Sequence, residues 1–124
     1  MPVHSIGVDL IEIDRLRKII NRYGQKFLTR IYTENEIDYC SRFRDQASYA
    51  ARFAAKEAVF KATGLGLRGD MSWKDVEIIN DENGKPVVRL YGKTARMMGK
   101  FKLHLSLSHS RGMAIAMVVC EKPD

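Results

Sequence analysis

From His4 to Ile13 the apolar positions alternate, with Ile6, Val8, Leu10 and Ile11 apolar, and a period of two predicts a strand. Asp14 is a good N-cap for a helix from Arg15 to about Tyr23, with Leu16, Ile19 and Ile20 on one face and Gly24 as its stop. Phe27, Leu28, Ile31 and Tyr32 mark a further apolar-faced turn or short helix. Thr33-Glu34-Asn35-Glu36 has capping-box spacing, in which the Thr33 oxygen accepts an early helical N–H while Glu36 reaches back. A helix to about Arg42 follows. The longest helical run, Gln46 to Ala62, is rich in Ala with Tyr49, Phe53 and Phe60 as its bulky members, and the glycines from Gly64 to Gly69 break it.

The second half of the chain is patterned differently. Trp73 to Ile79 and Pro86 to Tyr91 read as two strands joined by a hairpin turn built on Asn83-Gly84. A short helix is expected from Gly92 to Lys100. Lys102 to Ser108 alternates cleanly, with Leu103, Leu105 and Leu107 on one face and His104, Ser106 and Ser108 on the other. Met113 to Val119 is apolar on both faces and so suits a central strand. The order predicts an α+β domain, a largely antiparallel sheet packed with helices. No repeat or linker divides the chain, so residues 1–124 are expected to form a single domain.

A chain of 124 residues buries roughly two-thirds of its surface on folding, enough for its own core and small enough to suit a groove shared between subunits. There is no apolar run near the roughly 20 residues of a membrane helix and no signal-peptide pattern, so a cytoplasmic location is expected. Cys40 and Cys120 lack metal-ligand spacing and read as reduced structural thiols. The net charge of +6, from 21 basic and 15 acidic residues, favours an anionic partner without choosing among nucleic acid, membrane surface, polyphosphate and acidic protein.

Candidate chemistry gathers in three blocks. Asp9 sits inside an apolar strand, where a carboxylate is expensive to bury without a cation or hydrogen bonds. It is either a strand-end cap or a cation ligand, and Gly7 beside it would allow a ligand close approach. On the long helix Glu57 and Lys61 share one face, and Arg52 and Lys56 another. They are ordinary surface charges, or they point into a groove, which the apolar run around them favours. Asp9 and Glu57 together could hold Mg²⁺, with Lys61 as a point charge on phosphate. The glycines after this helix suit its termination better than a phosphate cradle, which would precede a helix. Ser108-His109-Ser110-Arg111, at a strand-to-strand turn, lacks the orienting acid of a hydrolase triad and suits anion binding or an incidental turn. Arg15, Arg17, Lys18 and Arg22 surround Ile19 as a basic face for an acidic partner helix or a phosphate backbone. No nucleic-acid motif accompanies them.

Together these blocks, Gly7-Val8-Asp9-Leu10-Ile11-Glu12-Ile13-Asp14-Arg15, Arg52-Phe53-Ala54-Ala55-Lys56-Glu57-Ala58-Val59-Phe60-Lys61-Ala62 and Leu105-Ser106-Leu107-Ser108-His109-Ser110, closely resemble the signatures of bacterial holo-[acyl-carrier-protein] synthases. These are 4′-phosphopantetheinyl transferases of fatty acid biosynthesis. The resemblance implies that fold and its reaction: the serine hydroxyl of an apo acyl carrier protein attacks the pantetheine-side phosphorus of coenzyme A, releasing adenosine 3′,5′-bisphosphate. It implies Asp9 and Glu57 as Mg²⁺ ligands and Lys61 as the pyrophosphate contact. Arg52 and His109 would lie near the 3′-phosphate, and the loop from Gly64 through Gly66 to Arg68 would border the adenine. Asp38 would activate the serine through water, and Arg15, Ile19 and Arg22 would meet the carrier protein. It further implies a homotrimer with active sites between subunits, and no nucleic-acid or membrane partner. A Mg²⁺-dependent phosphohydrolase and a basic nucleic-acid-binding module are the competing readings.

Overall fold

The computed structural model describes residues 2–64 and 71–124. In chain order these form β1 (Val3–Glu12), α1 (Ile13–Tyr23), α2 (Gln25–Ile31), α3 (Glu34–Cys40), α4 (Ala47–Ala62), β2 (Val76–Asn80), β3 (Pro86–Leu90), α5 (Gly92–Met98), β4 (Lys102–Ser110) and β5 (Met113–Glu121). One antiparallel sheet has the order β1-β5-β4, so the strand that is apolar on both faces is central, and β2 with β3 forms a separate hairpin. The α+β class follows the patterning of the chain.

Register decides what faces the helices. Gly7 pairs with Val118 and Asp9 with Ala116, while Leu105 and Leu107 pair with the same two β5 residues from the other side. Directly paired residues share a sheet face, so Gly7, Asp9, the small β5 side chains and the β4 leucines all look toward α4. Ala54, Ala55 and Ala58 of that helix are fully buried in a core with Ala116 and Val118. Small side chains let helix and sheet approach closely. A Cβ on Gly7 would fall 1.9 Å from the Ala58 carbonyl oxygen. The missing side chain therefore serves the contact between β1 and α4, and not the approach of a ligand.

Several boundaries differ from the sequence expectation for local reasons. α1 begins at Ile13 with Glu12 at its N-cap, and Asp14 lies inside the first turn, paired with Arg17. There its charge still complements the helix N-terminus. The Thr33 capping box forms as expected, but α3 ends at Cys40. Trp73–Asp75 is a 3₁₀ turn ahead of β2, because Ser72 and Asp75 build a second capping box there. The hairpin turn is fastened by Asp81, whose Oδ1 accepts the N–H groups of Asn83 and Lys85 at 2.9 Å, and Gly84 takes the left-handed φ of +83°.

The opposite face of the three-stranded sheet carries Ile6, Val8 and Leu10 against Val119, Met117 and Ile115. It is uncovered: Ile6 is 61% exposed and Met117 46%. No helix among the described residues is long and apolar enough to cross a membrane.

Candidate active site

β1 delivers Asp9 to the helix side of the sheet, and α4 presents Glu57 and Lys61 one turn apart on the row that faces it. The Lys61 ammonium lies 3.0 Å from Asp9 Oδ1 and donates to the Val8 carbonyl at 3.1 Å. Asp9 is largely covered, 17% exposed, while Lys61 is half in solvent. Burial, and then the negative charge of Asp9, push the Glu57 carboxyl above its usual 4.5, with Lys61 opposing them. A Glu57 carboxyl whose ionisation the neighbouring Asp9 charge opposes, with the Lys61 ammonium on Asp9, forms a site that a divalent cation would relieve. They open on a cavity of about 330 Å³ lined also by Arg15, Ile19, Phe27 and Phe53. Among the described residues no group of three or more His, Cys, Asp and Glu side chains gathers as a metal site. The donor set is thus two carboxylates, which suits Mg²⁺, a hard cation that fills its remaining positions with waters and phosphate oxygens.

The second row of α4 behaves differently. Lys56, which shares a face with Arg52, is fully buried and reaches no ligand-accessible space. Its ammonium pairs with Glu36 Oε1 at 2.8 Å and donates to the Trp73 and Val76 carbonyls. Glu36 also accepts the Ile78 N–H at 2.7 Å. This charge holds α3, α4 and β2 together and is unavailable to phosphate.

Arg52 is buried as well, 5% exposed, but it borders space. Its guanidinium carbon lies 4.3 Å from the Tyr39 ring centroid, and Nη2 donates to Asn80 Oδ1 at 3.2 Å. Arg52 and His109 line one cavity of about 520 Å³, walled also by Phe43, Pro86 and Ser108. Asp38 lines an adjacent cavity of about 350 Å³ with Arg52 and Asn80, and its exposed carboxylate pairs with Arg42 at 3.0 Å.

The expected site residues therefore fall into two sets within one chain. Asp9, Glu57, Lys61, Arg15 and Ile19 gather on one side of α4, while Arg52, His109 and Asp38 gather on another. None of the described cavities is lined by members of both. Arg22, in the last turn of α1, lies over the Tyr23 ring at 5.3 Å. Gly64 follows the end of α4 with φ +81° and donates its N–H to the Lys61 carbonyl, the cap geometry that glycine favours. Gly66 and the rest of the loop to Arg68 lie outside the described residues.

Sequence reading did not anticipate the Glu36–Lys56 pair or the Tyr39 and Asn80 contacts to Arg52. A Lys inside an Ala-rich run was the available signal for the first. For the second there was none, because Tyr39 and Asn80 come from elements distant in sequence. Glu77 was also unanticipated. Its carboxylate accepts from Thr33, Asn35 and Tyr91. Burial raises it, yet these three bonds together with the Arg89 charge outweigh that and bring it below the usual range.

The profile of the 4′-phosphopantetheinyl transferase superfamily matches residues 5–118. A protein named holo-[acyl-carrier-protein] synthase from Geobacter sp. (strain M21) is 45% identical over 124 residues, spanning 97% of this chain and 99% of its own. One of the same name from Chlorobium limicola is 47% identical over 116 residues, 93% of this chain and 91% of its own. Among solved structures, the Bacillus anthracis holo-(acyl-carrier-protein) synthase in complex with CoA (3′,5′-ADP) superposes with a TM-score of 0.82 at 37% identity, over 97% of each chain. The Helicobacter pylori holo-[acyl-carrier-protein] synthase in complex with coenzyme A does so with a TM-score of 0.85 at 34% identity, over 94% of this chain and 99% of that one. By profile, by sequence along nearly its whole length and by fold, the chain belongs to the holo-[acyl-carrier-protein] synthase family of the 4′-phosphopantetheinyl transferases.

Proposed function

We propose that this chain transfers the 4′-phosphopantetheine group of coenzyme A to a serine of apo acyl carrier protein, in a Mg²⁺-dependent reaction that releases adenosine 3′,5′-bisphosphate. The observation that carries the reading is the Asp9–Glu57 carboxylate pair with Lys61 at 3.0 Å from Asp9, beside a cavity whose rim bears Arg15 and Ile19. The serine oxygen bonds to the pantetheine-side phosphorus as the bond from that phosphorus to the bridging oxygen breaks. The electron pair leaves with adenosine 3′,5′-bisphosphate. Such a transfer depends mainly on positioning and on neutralising the phosphate oxygens.

Asp9 and Glu57 would hold Mg²⁺, which when bound supplies the charge that a pyrophosphate needs. Lys61, half exposed beside them, would swing from Asp9 to a phosphate oxygen. Arg52 and His109 would receive the 3′-phosphate, and Gly64 and Gly66 would border the adenine. Asp38 would draw the serine proton away through a water. Arg15, Ile19 and Arg22 would offer the carrier protein a basic face with an apolar centre.

Two half-sites that share no cavity in one chain, and an uncovered apolar sheet face, both favour a homotrimer in which neighbouring subunits complete each site. We read residues 1–124 as one domain acting in the cytoplasm.

Acceptor dependence tests the reaction. With coenzyme A and Mg²⁺, adenosine 3′,5′-bisphosphate should appear only when an apo acyl carrier protein is present. Release without acceptor would indicate a phosphohydrolase.

A further inference from the structure

A buried guanidinium normally meets a carboxylate, because leaving its charge and donors unpaired is costly. Arg52 does not. Among the described residues no carboxylate lies within ion-pair distance of it, and its Nε is buried without a hydrogen-bond partner. The neighbouring acids are engaged elsewhere: Glu57 faces Asp9, Glu36 holds Lys56, Asp38 pairs with Arg42, and Asp45, which lines the same cavity, accepts the Ala47 N–H. Two neutral groups fix the plane of the guanidinium instead. The Tyr39 ring takes its face at 4.3 Å, and Asn80 Oδ1 accepts from Nη2 at 3.2 Å. Of its five N–H donors, one goes to Asn80 and the buried Nε has no partner, while the side chain borders the cavity that His109 also lines.

We propose that Tyr39 and Asn80 are positioning residues that orient Arg52 and leave its charge uncompensated, so that an entering phosphate group is its counter-ion. The inference rests on the reading that this phosphate is the 3′-phosphate of coenzyme A. Neutrality at position 80 is the functional requirement. An aspartate there would fix the guanidinium at least as well but would compete with the ligand for it.

The test compares kcat/KM for coenzyme A with that for 3′-dephospho-coenzyme A. Calorimetric binding reads the same ratio where turnover of the dephospho compound is slow. Arg52→Ala should lower the ratio roughly tenfold or more, the scale of a hydrogen bond to a charged group. Asn80→Asp and Tyr39→Leu should each lower it several-fold through KM for coenzyme A. Tyr39→Phe, which keeps the ring face, should stay near wild type. If Arg52→Ala lowers the ratio while Asn80→Asp and Tyr39→Leu do not, the positioning role is wrong and the phosphate reading stands. Equal losses on both substrates would mean that Tyr39 and Asn80 merely support the fold, which also overturns it. If Arg52→Ala leaves the ratio unchanged, the phosphate reading falls and takes the inference with it. Should Tyr39→Leu fail to fold, Asn80→Asp still decides, since it is isosteric and keeps the acceptor.

Discussion

Glu57 is the residue in which the site's electrostatics can be read most directly. Burial and the Asp9 charge raise its carboxyl above the ordinary 4.5. A raised acid in the folded state means that its ionisation weighs against folding once pH exceeds that of the unfolded group. A bound divalent cation reverses the sign of that contribution. Mg²⁺ should therefore raise the thermal midpoint of the protein at neutral pH. The gain should fade on acidification while still above the titration range of an ordinary Glu, because protons then displace the metal. Glu57→Gln should abolish the Mg²⁺-dependent shift and leave the metal-free midpoint unchanged or higher. A midpoint indifferent to Mg²⁺ in the wild type would count against the carboxylate pair. Asp9→Ala should likewise reduce Mg²⁺-dependent transfer by two orders of magnitude or more, while the protein remains folded. Asp9, Glu57 and Lys61 were legible in the sequence because a carboxylate in an apolar strand and an i,i+4 charged pair are local patterns. Helical spacing told that Arg52 and Lys56 share a face, but not that one ends against a cavity and the other inside the protein. That depends on whether the tertiary fold brings an acid to each, as Glu36 to Lys56.

At the scale of elements, the placement of α4 on β1 sets the position of both residue clusters. Gly7 permits that contact, so Gly7→Ala should destabilise the protein by about 3 kcal/mol, the upper range for overpacking against a backbone that cannot yield. Urea unfolding measures it, and a loss within error would mean that β1 and α4 have room to separate. The Glu36–Lys56 pair fixes the other side of the same helix. Lys56→Met would strand a buried carboxylate and cost about 3–5 kcal/mol. Adding Glu36→Gln should recover part of that loss, whereas no recovery would show that Lys56 acts mainly through its carbonyl contacts. Most elements were legible because their signals are local, as at the Thr33 capping box, the Asn83-Gly84 turn and the Leu103-Leu105-Leu107 alternation. The boundaries that moved did so where two local signals compete. Asp14 was a plausible cap until Glu12 took that position, and the β-rich run after Trp73 yields its first three residues to the Ser72–Asp75 capping box.

At the scale of the whole molecule, two features would be accounted for by the proposed homotrimer: the Asp9–Glu57–Lys61 and Arg52–His109 clusters on different sides of α4, and an exposed face bearing Ile6, Val8, Leu10, Ile115 and Met117. Neither was legible from periodicity alone, since alternation marks two faces of a strand without saying which is covered by a helix and which stays exposed. Association of subunits through that face should give a trimer by light scattering. Val8→Glu should dissociate it and abolish transfer together. Co-expression of Asp9→Ala with an Arg52→Ala/His109→Ala chain should restore transfer that neither homogeneous variant shows, because mixed assemblies contain sites with both halves intact. No restoration would place both halves of a site in one subunit. Beneath these lies the claim of metal-assisted phosphopantetheine transfer, tested most directly by the intact mass of an apo acyl carrier protein after incubation with this protein, coenzyme A and Mg²⁺. The account predicts a gain of one phosphopantetheine that chelator abolishes. An unmodified carrier, or a gain that persists under chelator, would contradict it.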